Sequence, residues 1–141
     1  MLSKTCKYAI RATIYLAANT NETERIGIKD LAEALMVPKH FLAKILQVLT
    51  KNKVISSMKG PGGGFFIKAE NLGLSIMDVV VGLDKKEIFV GCVLGLPVCS
   101  HENPCPLHKS LVHLRDGFSY QLESSTIGEM AHAMKYHGYQ I

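Results

Sequence analysis

A run of glycines tolerates few settings in a folded chain, because a residue without a Cβ is needed only where the backbone turns through positive φ or is closely approached. Here the run is Gly60-Pro61-Gly62-Gly63-Gly64. Short β-like segments border it, Val54 to Lys59 and Phe65 to Lys68, which makes the glycines the tip of a hairpin flanked by Lys59 and Lys68. A phosphate-cradling P-loop places Gly-Lys-Ser/Thr at the start of a helix. A strand follows here instead, which argues against nucleotide binding.

What precedes the hairpin narrows the choice further. Ser3 is a helix N-cap followed by an apolar series at Cys6, Ala9, Ile10, Thr13 and Ala17. Tyr8, Ala12, Tyr15 and Leu16 extend that apolar surface around most of the helix, and Cys6 reads as a small core residue. Lys4, Lys7 and Arg11 lie three and four apart and form one basic strip. After a polar loop from Asn19 to Arg25, Ile28, Leu31, Ala32 and Leu35 mark a short helix ending near Val37, because Pro38 disfavours helical geometry in the residue before it. Pro38 then suits the first turn of a third helix. That helix turns Phe41, Leu42, Ile45, Leu46 and Leu49 inward and offers Lys39, His40, Ala43, Lys44, Gln47 and Lys51 on its other face.

Two short helices, the second with a polar and basic outer face, form a helix-turn-helix pattern, and a hairpin directly after them is a wing. Charge agrees with that reading. Residues 1–70 hold 11 Lys and Arg against 5 Asp and Glu, whereas residues 71–141 hold 5 against 7. The basic half is suited to a polyanion, and a narrow basic wing can enter the minor groove of double-stranded DNA. An acidic protein partner for the basic half is the competing interpretation, and sequence-selective binding of DNA separates the two.

The second half has a different chemistry. Ser75 caps a helix with Ile76, Val79, Val80 and Leu83 inward and Asp78 in its first turn. An irregular stretch from Asp84 to Pro106 contains Cys92-x6-Cys99-x5-Cys105-x2-His108. Pro106 favours a helix start just after Cys105, which puts His108 in the first turn with its imidazole tilted back toward the thiols. Structural zinc sites bring Cys-x2–4-Cys knuckles in pairs, and none occurs in this stretch. Widely spaced soft thiolates suit an iron–sulfur cluster, which accepts His in place of one Cys; zinc and free redox thiols stay open. His101 lies within the loop as a weaker ligand candidate, and His113, His132 and His137 read as surface or packing residues. No third group orients a Cys–His pair and no oxyanion motif accompanies it, so enzymatic activity is not expected.

Beyond the loop, Leu111, Leu114, Phe118 and Leu122 recur at helical spacing, a stripe suited to pairing with a second copy of the same helix. Thr126-Ile127-Gly128-Glu129 is a capping-box pattern that opens a last helix carrying Met130, Ala131 and Met134. At 141 residues the chain is long enough for an ordinary core. The longest stretch without Asp, Glu, Lys or Arg, Ile88 to His101, spans only 14 residues, against about 20 apolar residues for a membrane span. Without a secretory pattern at the N-terminus, a cytoplasmic location is expected. The expected fold is mainly α, a winged helix-turn-helix over residues 1–83, a cysteine loop over 84–105, and a dimerisation helix with a terminal helix over 106–141.

The opening Leu2-Ser3-Lys4-Thr5-Cys6-Lys7-Tyr8-Ala9-Ile10-Arg11-Ala12, the wing Lys59 to Phe65 and the three-cysteine loop together resemble the Rrf-two family of winged-helix repressors, over nearly the whole chain. The resemblance implies a cytoplasmic homodimer crossed through the long C-terminal helix and bound to a palindromic operator. It also implies that Cys92, Cys99 and Cys105 hold an iron–sulfur cluster reporting iron–sulfur or iron status, nitric oxide or redox state. His108 matches the histidine that completes a 2Fe–2S site in IscR-like members. Some NsrR-like members instead draw a carboxylate from the partner's first helix, at a position that is Tyr8 here, so the 2Fe–2S form is favoured over 4Fe–4S. Lys4, Lys7, Arg11, Lys39 and Lys59 are expected at phosphates or groove edges, His40, Ala43 and Lys44 at bases, and Gly60, Pro61, Gly62 and Gly63 in the wing. His40 and Ala43 stand where IscR has a serine and a glutamate, so operator preference does not carry over. The alternative within the same fold is a cluster-free regulator that senses by thiol oxidation or through a partner protein.

Overall fold

The computed structural model describes residues 2–83, 89 and 91–141. Its elements run α1 (Lys4–Asn19), α2 (Ile28–Leu35), α3 (Lys39–Lys51), β1 (Ser56–Met58), β2 (Gly64–Phe66), a 3₁₀ turn (Ala69–Gly73), α4 (Ile76–Val81), α5 (His108–Ser124) and α6 (Ile127–His137). This is the mainly helical winged helix-turn-helix with a small two-stranded wing that the sequence indicates. The segments 84–88 and 90 of the expected cysteine loop lie outside the described residues.

The first helix is the post of the molecule. Ser3 accepts a hydrogen bond from the Cys6 amide, and Cys6, Ala9, Ala12, Thr13, Ile14 and Leu16 are all buried along α1. Thr13 satisfies its hydroxyl on the Ala9 carbonyl at 2.8 Å, so a polar side chain sits in the core without an orphaned group. Helices α2, α3, α4 and α6 all pack around α1. Leu31, Leu35, Leu42, Leu46, Leu49, Val79 and Ile127 complete the same core.

Several boundaries differ from the sequence expectation, each for a local reason. Helix α2 stops at Leu35, not near Val37, because Met36 takes a left-handed conformation (φ 53°, ψ 46°). Its N–H still returns to Ala32 and Glu33, and the Val37 N–H bonds Ala32, which terminates the helix before Pro38 can. Pro38 itself stands at the N-cap (ψ 128°) rather than inside the first turn of α3. The wing strands are shorter than expected: Val54 and Ile55 are drawn into the core, and pairing is confined to Ser56–Phe66, Ser57–Phe65 and Met58–Gly64. Ile26 bonds Phe65 in both directions, at 3.0 and 2.8 Å, and so fixes the α1–α2 connection along the base of the wing.

Two capping boxes organise the second half. Ser75 with Asp78 opens α4, and Thr126 with Glu129 opens α6. The two starts are joined by amide bonds from Ile76 to the Ser125 carbonyl and from Ile127 to the Leu74 carbonyl, both 2.9 Å. Helix α5 begins at His108, two residues later than Pro106 implies, because Pro106 and Leu107 form a turn ahead of it. Of its apolar stripe, Leu111, Phe118 and Leu122 are half-buried and Leu114 is 70% exposed; Val112 is the residue α5 buries.

A non-glycine residue in the left-handed region costs roughly 1–2 kcal/mol. Met36 is fully compatible with glycine in that it is 86% exposed. Met36→Gly is therefore expected to stabilise the fold by about 1 kcal/mol once the greater unfolded-state entropy of glycine is deducted. Urea denaturation checks this, and a destabilised variant would contradict the account of the α2 stop.

Candidate metal centre and nucleic-acid interface

The three loop cysteines converge. Their sulfurs all lie within 4.8 Å of one another, and they form the one grouping of metal-capable side chains found among the described residues. Cys92 Sγ and Cys105 Sγ are 3.7 Å apart, and Cys99 Sγ is 3.3 Å from Nδ1 of His108. The convergence has local causes. The Cys92 carbonyl closes a turn with Gly95, which adopts φ 68°, and the Cys105 carbonyl accepts the His108 amide. The Cys105 amide in turn points at Cys99 Sγ, 3.4 Å away. His108 opens α5, so Leu111, Val112 and Arg115, one and two turns further on, line the same pocket as the thiols.

The thiols are electrostatically unequal. The Leu96 amide, helped by that of Leu94 and by the two neighbouring sulfurs, pulls the Cys92 pKa below its ordinary value despite desolvation. At Cys99 the Cys105 amide is the largest single influence and acts downward, yet desolvation and the two other sulfurs together leave the thiol raised. The imidazole of His108 has its Nε2 buried without a hydrogen-bond partner, which makes it the least satisfied polar group of the pocket. His101 touches its ring edge-on at 4.9 Å but is exposed. Three soft donors and one imidazole at a helix start fit a thiolate-bound metal or cluster. Amides aimed at two of the sulfurs are the kind of outer-layer support such centres use.

Arg115 joins the site without belonging to any motif of the loop. It donates to the Gly91 carbonyl at 3.4 Å and pairs with Asp116, tying the loop to α5. The seven-residue spacing from His108 was the available signal, since it puts both side chains on one helix face. Cys6, by contrast, is where the sequence puts it, fully buried with its thiol directed at the Val80 carbonyl.

At the other end of the molecule, Lys39, His40 and Lys44 are exposed on α3, with Ala43 half-buried between them. Lys59, Gly60, Pro61 and Gly62 are exposed at the wing tip, and Gly63 is half-buried. A Cβ on Gly63 would lie 2.3 Å from the Met58 carbonyl oxygen, which explains why that position holds glycine. Lys4 and Lys7 are exposed on α1, whereas Arg11 is half-buried and donates to the Leu35 carbonyl at 2.8 Å. Arg11 thus serves the end of α2. Its guanidinium and the Lys4 ammonium each lie 5.7 Å from the Tyr8 ring, and that ring meets Phe41 of α3 edge-on at 5.7 Å. The basic strip of α1 is in this way seated directly on the third helix.

A family model described as Rrf2, iron-dependent transcriptional regulator, matches residues 2–133. The chain belongs to the Rrf2 family. Members of this family and the relatives found here are transcription regulators and not enzymes. A helix-turn-helix-type transcriptional regulator of Aquifex aeolicus is 29% identical over 139 residues, covering 97% of this chain and 95% of the relative. The regulator IscR of an Enterobacter species is 27% identical over 124 residues, covering 88% and 75%. Among solved structures, T. potens IscR superposes with a TM-score of 0.74 at 18% identity over 100% of this chain and 93% of that one. CymR, the global cysteine regulator of B. subtilis, gives 0.73 at 22% over 93% and 95%. These last two likenesses carry the Rrf2 fold. Among the described residues, no helix is long and apolar enough to cross a membrane.

The unequal thiols yield a directional expectation. A lowered pKa means that Cys92 is thiolate at a lower pH than Cys99, and thiolates are the species that alkylate. In reduced, metal-free protein a short iodoacetamide pulse near neutral pH should therefore label Cys92 ahead of Cys99, the gap closing as pH rises. Peptide mass spectrometry reads the order, and prior labelling of Cys99 would contradict it.

Proposed function

We propose that this Rrf2 regulator binds a palindromic DNA operator as a homodimer, acts as a repressor, and is controlled by an iron–sulfur cluster held by Cys92, Cys99, Cys105 and His108. The observation that carries the proposal is the convergence of the Cys92, Cys99 and Cys105 sulfurs within 4.8 Å of one another, with His108 Nδ1 3.3 Å from Cys99 Sγ. Four donors of this type supply the full ligand set of a 2Fe–2S centre with one histidine. When bound, the cluster supplies a site that gains or loses electrons and reacts with oxidants or nitric oxide, and a 4Fe–4S form is the variant to test against. The family's iron-dependent description favours iron over zinc.

The protein's own residues divide the work. Lys4, Lys7, Lys39 and Lys59, all exposed, would meet phosphates, and His40, Ala43 and Lys44 would face base edges in a major groove. Leu114, exposed on α5 between the half-buried Leu111 and Phe118, supports pairing with the same helix of a second copy, which would set two reading helices about a two-fold axis. Assembly or loss of the cluster would reorder the loop beside that helix and so alter the spacing of the two heads.

A second reading rests on the 3.7 Å separation of Cys92 and Cys105 sulfurs, which is close enough for oxidation to a disulfide after a small movement. A regulator of that kind needs no cluster. In it two S–H bonds are replaced by one S–S bond, while a peroxide-class oxidant takes the two electrons and two protons, its O–O bond breaking to give an alcohol (or water) and water.

Two measurements test these statements. Anaerobically purified protein should show visible absorption with about two irons and two sulfides per chain, lost when Cys92, Cys99 and Cys105 are all changed to Ala. Full iron and sulfide in the triple variant would refute the ligand assignment; four irons would remove His108 from it; colourless protein that resists reconstitution would favour the thiol switch. For the DNA half, Lys59→Ala should reduce the salt dependence of binding by about one phosphate's worth, roughly 0.9 in log–log slope. Unchanged affinity and slope would reject the wing as a DNA contact.

A further inference from the structure

The wing tip has a physical difficulty that its glycines create. Gly60, Gly62 and Gly64 take φ values of 92°, 72° and 146°. A tip built this way is inexpensive to bend, and whatever freedom it keeps must be surrendered when it enters a groove. Its internal support is one turn bond, from the Gly63 amide to the Gly60 carbonyl at 2.9 Å. Something outside the hairpin is needed to hold it.

We infer that Arg25 is that support, a positioning residue that presets the wing for DNA; the inference rests on reading the chain as a DNA-binding regulator. One terminal nitrogen of Arg25 donates to the Gly62 carbonyl at 3.4 Å, and the other donates to the Glu22 carbonyl. The guanidinium also lies 5.2 Å from the ring of Phe66 on β2. A single side chain thereby joins the tip, the strand behind it and the α1–α2 connection.

The connection it leans on is itself held. Asn21 Oδ1 accepts the amides of Thr23 and Glu24, both at 2.8 Å, while the Ile26–Phe65 pair secures the base of the wing. Gly64 is pressed so closely against this strut that a Cβ there would lie 2.7 Å from the Ile26 carbonyl oxygen. The base is therefore fixed by backbone pairing and the tip by Arg25. Each terminal nitrogen of the guanidinium gives one N–H to a carbonyl inside the protein, so the inferred part of Arg25 is played through geometry and not as a phosphate contact. Lysine cannot replace it: an ammonium lacks the plane that stacks on Phe66 while reaching two carbonyls in different directions.

The test uses the full chain and a duplex recovered by the wild-type protein from a random-sequence pool. Binding is measured across a salt series for wild type, Arg25→Met and Arg25→Lys, with thermal melting of each. Backbone ¹⁵N relaxation of Gly60, Gly62, Gly63 and Gly64 is recorded without DNA. Arg25→Met, which keeps the apolar stem, should bind about tenfold more weakly. Its salt slope should equal that of wild type, its tip amides should gain nanosecond mobility, and Arg25→Lys should recover little of the loss. A slope reduced by about 0.9 and restored in Arg25→Lys would make Arg25 a phosphate contact and overturn the inference. So would unchanged affinity, or a loss of affinity that follows melting while the tip amides relax as in wild type. If wild type recovers no duplex, the DNA reading fails instead, and the relaxation data still decide whether Arg25 holds the tip.

Discussion

Burial of α1 is the constraint on which the other elements depend. A 16-residue helix with alanines at two of its fully buried positions, Ala9 and Ala12, lets four other helices approach on different sides. Close approach of that kind is what small side chains provide, and any enlargement there would be felt by every packed neighbour. The same helix places Tyr8 against Phe41 and Arg11 against the end of α2, so the two helices of the DNA-reading motif take their relative setting from it. Its buried Cys6 begins a second, smaller cluster with Val80 and Phe89, joined by the partly buried Phe118. One helix thus touches both the reading head and the approach to the cysteine loop.

Much of this was legible from periodicity and caps. The apolar stripe of α1, the inward face of α3 and the boxes at Ser75 and Thr126 announce themselves because burial and capping act within a few residues. The errors fall where a competing local interaction intervened. Pro38 was a reasonable stop for α2, but the left-handed Met36 ended it first. Val54 and Ile55 have strand propensity and were taken instead by the core, because that propensity measures fit to a half-buried surface and not a backbone commitment.

The sites divide in the same way. Cys92, Cys99, Cys105 and His108 could be grouped from spacing because a helix start and two turns bring them together over a short stretch of chain. Arg115 required knowing which face of α5 met the loop. Arg25 was invisible for a different reason: its partners are the carbonyls of Glu22 and Gly62 and the ring of Phe66, and carbonyls carry no residue identity for a sequence to display. Basic side chains counted toward a polyanion surface also proved to include one, Arg11, that serves the fold by holding the end of a helix.

The loop is gripped at both ends. Phe89 is buried and stacks on Phe118 with ring centres 5.9 Å apart, and His108 is fixed as the first residue of α5. Between those anchors Val93, Leu94, Leu96 and Val98 are exposed and add nothing to the core. A change in the length of this exposed segment is therefore absorbed at the surface, and the buried frame around α1 has no side chain to lose by it.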